Sequence, residues 1–283
     1  MRATDHSLLD SLGLPQAAFG LLRDLIHERT GLYYDDAKRE MLAGRIVPRV
    51  IELGFISFLD YYYLLKYDEA GGEEWLHVMD ALSVPETYFW REMDAVRALV
   101  EVLVPQWVAA NPGLPLRIWC AACASGEEPL TITMALSEAG LLDRAPIVIE
   151  ASDASGATIA VARRGVYRER SFRTLPDALR ERYFTEVSGG RRIAPEIHAR
   201  VRWAVVNLRD EDEVARRAAA PFIFCRNVFL YFSQESIRAT VRQFAQQMPA
   251  PGYLFLGVAE SLVRITVDFA LREIGGAFIY VKE

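Results

Sequence analysis

The chain has 283 residues, 52% hydrophobic and 25% charged, with 32 Lys and Arg against 38 Asp and Glu for a net charge of -6. That length supports one or two cores, and the acidic balance argues against nucleic acid, because nonspecific affinity for a phosphate backbone comes from Lys and Arg neutralising phosphates. No apolar run is long enough to cross a bilayer and residues 1–5 carry no signal-peptide pattern, so no membrane insertion and a cytoplasmic location are expected.

From about Gln16 to Ala81 the signals are helical. Leu21, Leu22, Leu25 and Ile26 form an apolar stripe that ends at Gly31, a C-terminal cap. Leu42, Ile46 and Val50 recur at i, i+4, i+8 until Gly54, and Ser57-Phe58-Leu59-Asp60 reads as a capping box opening a third helix. The spacing predicts a helical N-terminal domain over residues 1–82.

After Pro105 and the turn Asn111-Pro112-Gly113 the pattern changes to strands alternating with helices. Strands are predicted at Leu116 to Cys120, Ile147 to Ser152, Val201 to Val206, Phe222 to Cys225 and Tyr253 to Gly257, with two more near Ala270 and Phe278. Helices are predicted at Glu127 to Ala139, Ala154 to Arg164 and Ser233 to Met248. Such alternation implies a mostly parallel, doubly wound α/β sheet. The polar, Arg-rich stretch over residues 168–200 fits neither slot. Its Ser188-Gly189-Gly190 reads as a hairpin turn, so this stretch is predicted to be a small inserted β-subdomain.

Ligands of doubly wound sheets bind beyond the carboxyl ends of the strands. There the chain offers the loop Ala121 to Glu128, with Ala122 and Gly126 in it, then Asp153, then Asn207-Leu208, then Arg226-Asn227. An acid after the second strand suits a ribose diol, although Asp at a strand end also serves as a helix cap. Glu127 and Glu128 suit a cationic group on the ligand, and equally the positive end of the helix that they open, with Pro129 in its first turn. A full Gly-x-Gly-x-x-Gly fingerprint is lacking, which argues against a pyrophosphate and for a nucleoside-sized cofactor without phosphates, such as S-adenosylmethionine. The pair Cys120-x-x-Cys123 has no second ligand pair, and both thiols are read as small apolar fillers with no metal.

Four ordered blocks carry a resemblance. They are Leu82-Ser83-Val84-Pro85-Glu86-Thr87-Tyr88-Phe89-Trp90-Arg91-Glu92, Ile118 to Pro129, Ser152-Asp153 with Gly165-Val166-Tyr167, and Cys225-Arg226-Asn227-Val228-Phe229-Leu230-Tyr231-Phe232. Together they resemble the CheR-type chemoreceptor glutamate O-methyltransferases over nearly the whole chain.

The resemblance implies an all-α N-terminal domain, a linker over 83–95 that contributes to the active site, and a class I (Rossmann-like) methyltransferase domain over 96–283. The activity implied is methyl transfer from S-adenosylmethionine to glutamate carboxylates of chemoreceptors, leaving S-adenosylhomocysteine. The cofactor would be lined by Thr87, Arg91, Ala121, Ala122, Glu128 or Glu127, Asp153, Asn207, Leu208, Arg226 and Asn227, with Arg91 and Tyr231 closest to the chemistry. A glutamate of ordinary pKa, about 4.3, is already ionised at neutral pH and needs no general base, which accounts for the lack of a catalytic His or Cys. Pro85 stands where the family usually has Asn, removing an amide from the cofactor edge. Lys38, Arg39, Arg45 and Arg49 fall on one predicted helix and would suit an acidic, helical receptor, or form a solvated charged face. The span from Phe184 to Trp203 is short for capture of a receptor-tail peptide by strand addition. Two alternatives remain at this point: a cofactor-binding regulatory or scaffold module with weak or no turnover, and a methyltransferase of another protein acceptor.

Overall fold

The computed structural model describes residues 13–283, and the chain divides into two compact units. The leader-free start read at residues 1–5 and the first dozen residues of the helical domain lie outside the described residues. The first unit runs to Val84 and takes in Tyr231–Ser236; the second comprises Pro85–Leu230 and Ile237–Glu283.

In the first unit, α1 (Gln16–Thr30) ends at Gly31, whose φ of 80° is the left-handed conformation of a C-terminal cap and whose N–H donates to the His27 carbonyl at 2.9 Å. Its inner face is Ala18, Phe19, Leu22, Leu25 and Ile26, whereas Leu21 of the predicted stripe is exposed. At about 100° per residue, a helix that buries 18, 19, 22, 25 and 26 turns position 21 outward. α2 (Arg39–Glu52) buries Leu42, Ala43, Ile46, Val47 and Val50, and α3 (Phe58–Tyr67) opens on Ser57, whose hydroxyl accepts the Leu59 N–H at 3.1 Å. α4 (Gly71–Leu82) brings Glu74 into the interior.

Glu74 corrects the predicted basic face. Its carboxylate takes Arg49 Nε at 3.0 Å and NH2 at 2.5 Å, and the Tyr61 hydroxyl at 2.6 Å. Burial opposes ionisation of Glu74, but Arg49 and Tyr61 outweigh it and hold the carboxyl below its ordinary range. Arg45 NH1 donates to the carbonyls of Leu82 at 2.9 Å and Ser83 at 3.2 Å, closing the end of α4. Lys38 belongs to a separate 3-10 turn, Asp36–Lys38, and pairs with Asp35, while Arg39 donates to Gln16 Oε1 at 3.2 Å. The four cations therefore do not share one outward helix face, because α4 supplies acceptors that attract two of them inward.

The second unit begins with a helical run, α5 (Met93–Ala98), a π turn (Leu99–Leu103) and α6 (Val104–Ala110). Then come β1 (Leu116–Ala121), α7 (Glu127–Glu138), β2 (Ile147–Asp153), α8 (Gly156–Arg164), β3 (Val166–Tyr167), α9 (Asp177–Tyr183), β4 (Phe184–Val187), β5 (Gly190–Ile193), α10 (Pro195–His198), β6 (Val201–Val205), α11 (Glu211–Ala218), β7 (Phe222–Cys225), α12 (Gln234–Gln247), β8 (Gly252–Phe255), β9 (Ala270–Ile274) and β10 (Ala277–Lys282). A seven-stranded sheet has the order β6-β2-β1-β7-β8-β10-β9, with β6, β2, β1, β7 and β8 parallel and β10 reversed. The chain works outward from β1 to β6 and returns to β7 on the other side of β1. That reversal leaves a crevice at the carboxyl ends of β1 and β7. The central strands are apolar on both sides, as a sheet covered on both faces requires: Trp119 of β1 packs edge-on against Phe244 of α12, and Phe224 stacks on Phe255 at 4.0 Å.

The inserted segment forms its own three-stranded antiparallel sheet, β3-β5-β4, turning at Ser188-Gly189. Its sheet opens at Val166, two residues before the predicted start of the subdomain. It shares an aromatic core with the stretch after Pro85: Phe89 is fully buried, with ring centroids 4.8 Å from Tyr167, 5.4 Å from Phe172 and 4.9 Å from Phe184. Among the described residues no helix is long and apolar enough to cross a membrane.

Candidate functional site

β1 stops at Ala121 and the backbone then turns through Ala122 (φ 56°), Ala124 (φ 48°) and Gly126 (φ 94°) before α7 begins. Left-handed backbone is unusual at two alanines, and small side chains lower its cost. At Gly126 a Cβ would stand 2.7 Å from the Trp203 ring, so only glycine allows both the turn and that packing. The loop is tied to β2 by Cys123 N–H on the Ser152 carbonyl and by Ala124 N–H on Asp153 Oδ2, both 2.9 Å.

Asp153 is therefore held rather than free to swing. Its Oδ1 accepts the Ser155 N–H at 2.9 Å, while burial pushes its carboxyl above the ordinary range against those hydrogen bonds. The Thr158 hydroxyl also donates to Oδ1 at 3.4 Å, and the Ala154 N–H adds a further donor, so the carboxyl is fixed in place at the end of β2. Asn207 follows β6 and its Oδ1 accepts the Arg209 N–H at 3.0 Å; Leu208 beside it is buried.

The two acids that open α7 separate. Glu127 is 2% exposed, with one oxygen taking the Ser125 hydroxyl at 2.7 Å and the other the Ser171 hydroxyl at 2.9 Å. One of these bonds closes within the loop and the other fastens the loop to the inserted segment. Glu128 joins the strand ends instead, because its Oε2 takes Arg226 NH1 at 3.0 Å. Arg226 NH2 continues to Glu92 Oε2 at 2.9 Å and to the carbonyls of Arg91 and Glu92 at 3.2 and 3.3 Å. Burial raises Glu128 in spite of Arg226, whereas Glu92, less deeply buried, is held low by Arg226 and the Val258 N–H.

Arg91 NH1 donates to the Glu86 carbonyl at 2.7 Å and its Nε lies 3.5 Å from Glu92. Its segment is anchored by Phe89, by Phe89 N–H on the Ser171 carbonyl at 2.8 Å and by Trp90 N–H on Thr131 Oγ1 at 3.1 Å; Thr87 is half-buried in the same stretch. Asn227 adopts φ 60°, and a Cβ at Gly257 would meet its Oδ1 at 2.7 Å. Tyr231 belongs to the first unit, where its carbonyl accepts the Tyr33 N–H at 2.8 Å.

Two residues were missed by sequence reasoning. Glu92 stood inside a quoted motif, and the available signal was that a buried Arg needs carboxylate partners. Glu260 accepts three backbone N–H groups, from Asn227, Gly257 and Phe229, each at 2.7 Å, and so fixes the ends of β7 and β8. The thiols of Cys120, Cys123 and Cys225 are buried and pushed well above their ordinary range by desolvation, which keeps them protonated.

A doubly wound sheet with anchored polar groups at consecutive strand ends defines the chain as a Rossmann-like methyltransferase. Residues 85–276 match the CheR methyltransferase SAM-binding domain and residues 17–83 match the CheR methyltransferase all-alpha domain. The chain belongs to the CheR family of S-adenosylmethionine-dependent methyltransferases. Among its relatives, chemotaxis protein methyltransferase 2 of Vibrio cholerae serotype O1 is 33% identical over 97% of this chain and 96% of its own length. The chemotaxis protein methyltransferase of Klebsiella aerogenes is 34% identical over 92% of this chain and 89% of its own. That of Escherichia coli strain K12 is 31% identical over 94% and 91%.

The donor set fits S-adenosylmethionine. Glu92 and Glu128 offer carboxyl oxygens beside the Arg226 guanidinium, acceptors and donors of the kinds that the ammonium and carboxylate of S-adenosylmethionine require. Arg226 Nε is buried and has no partner among the described residues, so the cluster holds an unused donor.

Proposed function

We propose that this chain methylates glutamate carboxylates on the cytoplasmic helices of chemoreceptors, acting in the cytoplasm. The observation that carries this reading is its 33% identity across 97% of its length to a relative named chemotaxis protein methyltransferase 2. The chemistry of the strand ends supports it. Those loops contain no His, their cysteines are kept protonated, and an ionised glutamate needs no base.

When bound, S-adenosylmethionine supplies a methyl group on a sulfonium sulfur. Asp153 accepts the ribose hydroxyls, held by the Ala124 and Ser155 amides. Glu128 receives the cationic end of the cofactor, and Arg226 fixes Glu128 and Glu92. Thr87, Ala121, Ala122, Asn207, Leu208 and Asn227 complete the lining. Arg91 orients a carboxylate, that of the acceptor or of the cofactor, through a guanidinium suited to bidentate contact. Tyr231 directs its hydroxyl to the reacting carboxylate. Since carboxylate and sulfonium cancel their charges as they react, positioning in a dry site supplies most of the acceleration.

The test is incubation of the full chain with methyl-labelled S-adenosylmethionine and a chemoreceptor cytoplasmic fragment, followed by mild alkali. Label on the receptor that alkali releases as methanol supports a glutamyl ester. Stable label, or tight cofactor binding with no transfer, refutes it.

A further inference from the structure

Tyr88 lies three residues before Arg91 and is touched by two guanidinium groups. Arg173 Cζ sits 3.7 Å from the Tyr88 ring centroid and Arg91 Cζ 5.5 Å from the same centroid. Both distances fall within the range where a cation is attracted by the electron-rich face of an aromatic ring. Two like charges gathered on one ring would repel, and a single residue offsets this: the Glu86 carboxylate takes Arg173 NH2 at 2.5 Å, while the Glu86 carbonyl takes Arg91 NH1 at 2.7 Å. The Arg173 and Arg91 guanidiniums hold the Glu86 carboxyl below its ordinary range, so it carries its charge at neutral pH. Arg173 comes from the inserted segment, between β3 and α9, and its neighbour Thr174 donates its hydroxyl to the Phe89 carbonyl at 2.8 Å.

Apart from these contacts, Arg91 has one ion pair among the described residues, Glu92 at 3.5 Å, and that carboxylate is already engaged at 2.9 Å by Arg226. A long arginine side chain has substantial rotamer entropy, and an arginine that must present its fork in one orientation needs that freedom removed beforehand. We infer that Tyr88 and Arg173 are positioning residues for Arg91: Arg173, fastened by Glu86, orders the Tyr88 ring, and the ring orders the Arg91 guanidinium with its unused N–H groups left for a carboxylate. The inserted segment thus contributes to the methyl-transfer site through one ring contact. The inference rests on the reading of Arg91 given above, and it names the groups that set its orientation.

The experiment measures methyl transfer to a receptor cytoplasmic fragment, together with S-adenosylmethionine binding by calorimetry, for full-length Tyr88→Leu, Tyr88→Phe, Arg173→Ala, Arg91→Ala and the double variant Arg91→Ala/Tyr88→Leu. Loss of the ring face should lower kcat/KM for the receptor about tenfold in Tyr88→Leu, and Arg173→Ala should lose a comparable factor. Cofactor Kd should stay within about twofold in both, which also reports that the fold is intact. Tyr88→Phe keeps the ring and should restore the rate to within about twofold. A group that acts through Arg91 has nothing left to position once Arg91 is gone, so Tyr88→Leu should cost little more in the Arg91→Ala background. Wild-type rates in both Tyr88→Leu and Arg173→Ala overturn the inference, as do losses that multiply in the double variant. A Tyr88→Phe rate as low as that of Tyr88→Leu also overturns it, since the hydroxyl rather than the ring would then matter. Full activity in Arg91→Ala overturns the underlying assignment of Arg91 instead, which separates the two failures.

Discussion

Replacing Arg226 with Met tests whether the strand-end cluster is held by the guanidinium that joins its acids. Arg226 is 3% exposed at its side chain, and the change leaves a residue of similar length where Glu128, Glu92 and two carbonyls had their donor. Removing one partner of a buried ion pair costs about 3–5 kcal/mol, because the remaining charge stays desolvated. Here two carboxylates remain, and Glu128 already lies above its ordinary pKa through burial, so a value near about 4 kcal/mol is expected at pH 7.5. Urea unfolding of the cofactor-free chain measures it. The sign of the pH dependence follows from the direction of the shifts. In the wild type Glu92 is held low, so its contribution is present above the unfolded value of about 4.3 and fades only as pH falls through the lower folded value. In the variant both acids lie above the unfolded value, and protonation relieves them as pH falls. The difference between the two chains should therefore shrink between pH 7.5 and pH 5. A cost below about 1 kcal/mol, or one independent of pH over that interval, would refute the view that Arg226 compensates these acids.

Asp153→Ala removes an acceptor held by two amides, and S-adenosylmethionine should bind about 10- to 100-fold more weakly by calorimetry, with turnover at saturating cofactor less affected. Unchanged Kd would remove Asp153 from the cofactor site. Arg91→Ala should lower kcat about 100-fold and Tyr231→Phe about 10-fold in the transfer assay, more than either weakens cofactor binding; equal loss of binding and turnover would count against placing them closest to the chemistry. In the helical unit, Glu74→Gln leaves the Arg49 charge without its buried partner and should cost about 3 kcal/mol in urea at pH 7. Because Glu74 is held low, the wild type keeps this stabilisation above pH about 4.3 and loses it as pH falls through the folded value, so the two chains should converge in acid. A difference that stays constant into acid would rule out the ion pair as its source.

What the sequence determined alone is what depends on neighbours a few residues away. The cap at Gly31, the hydroxyl at Ser57, the turn at Ser188-Gly189 and the polar residues that follow β1, β2, β6 and β7 were all legible, because backbone conformation and helical or strand period act over one to four positions. The four blocks from Leu82 to Phe232 also sufficed for the family. Tertiary structure decided which charges face which partners. Glu128 meets Arg226 across 98 positions, Glu127 meets Ser171 across 44, and Arg49 turns inward to Glu74 across 25, while Phe89, read only as part of a motif, proves to anchor the segment that carries Arg91. An acid beside an acid looks the same in sequence. Burial differs with the packing of distant elements, and a buried carboxylate must find a donor wherever the fold brings one, so the separate roles of Glu127 and Glu128 arise only once β7 and the inserted segment have closed on α7.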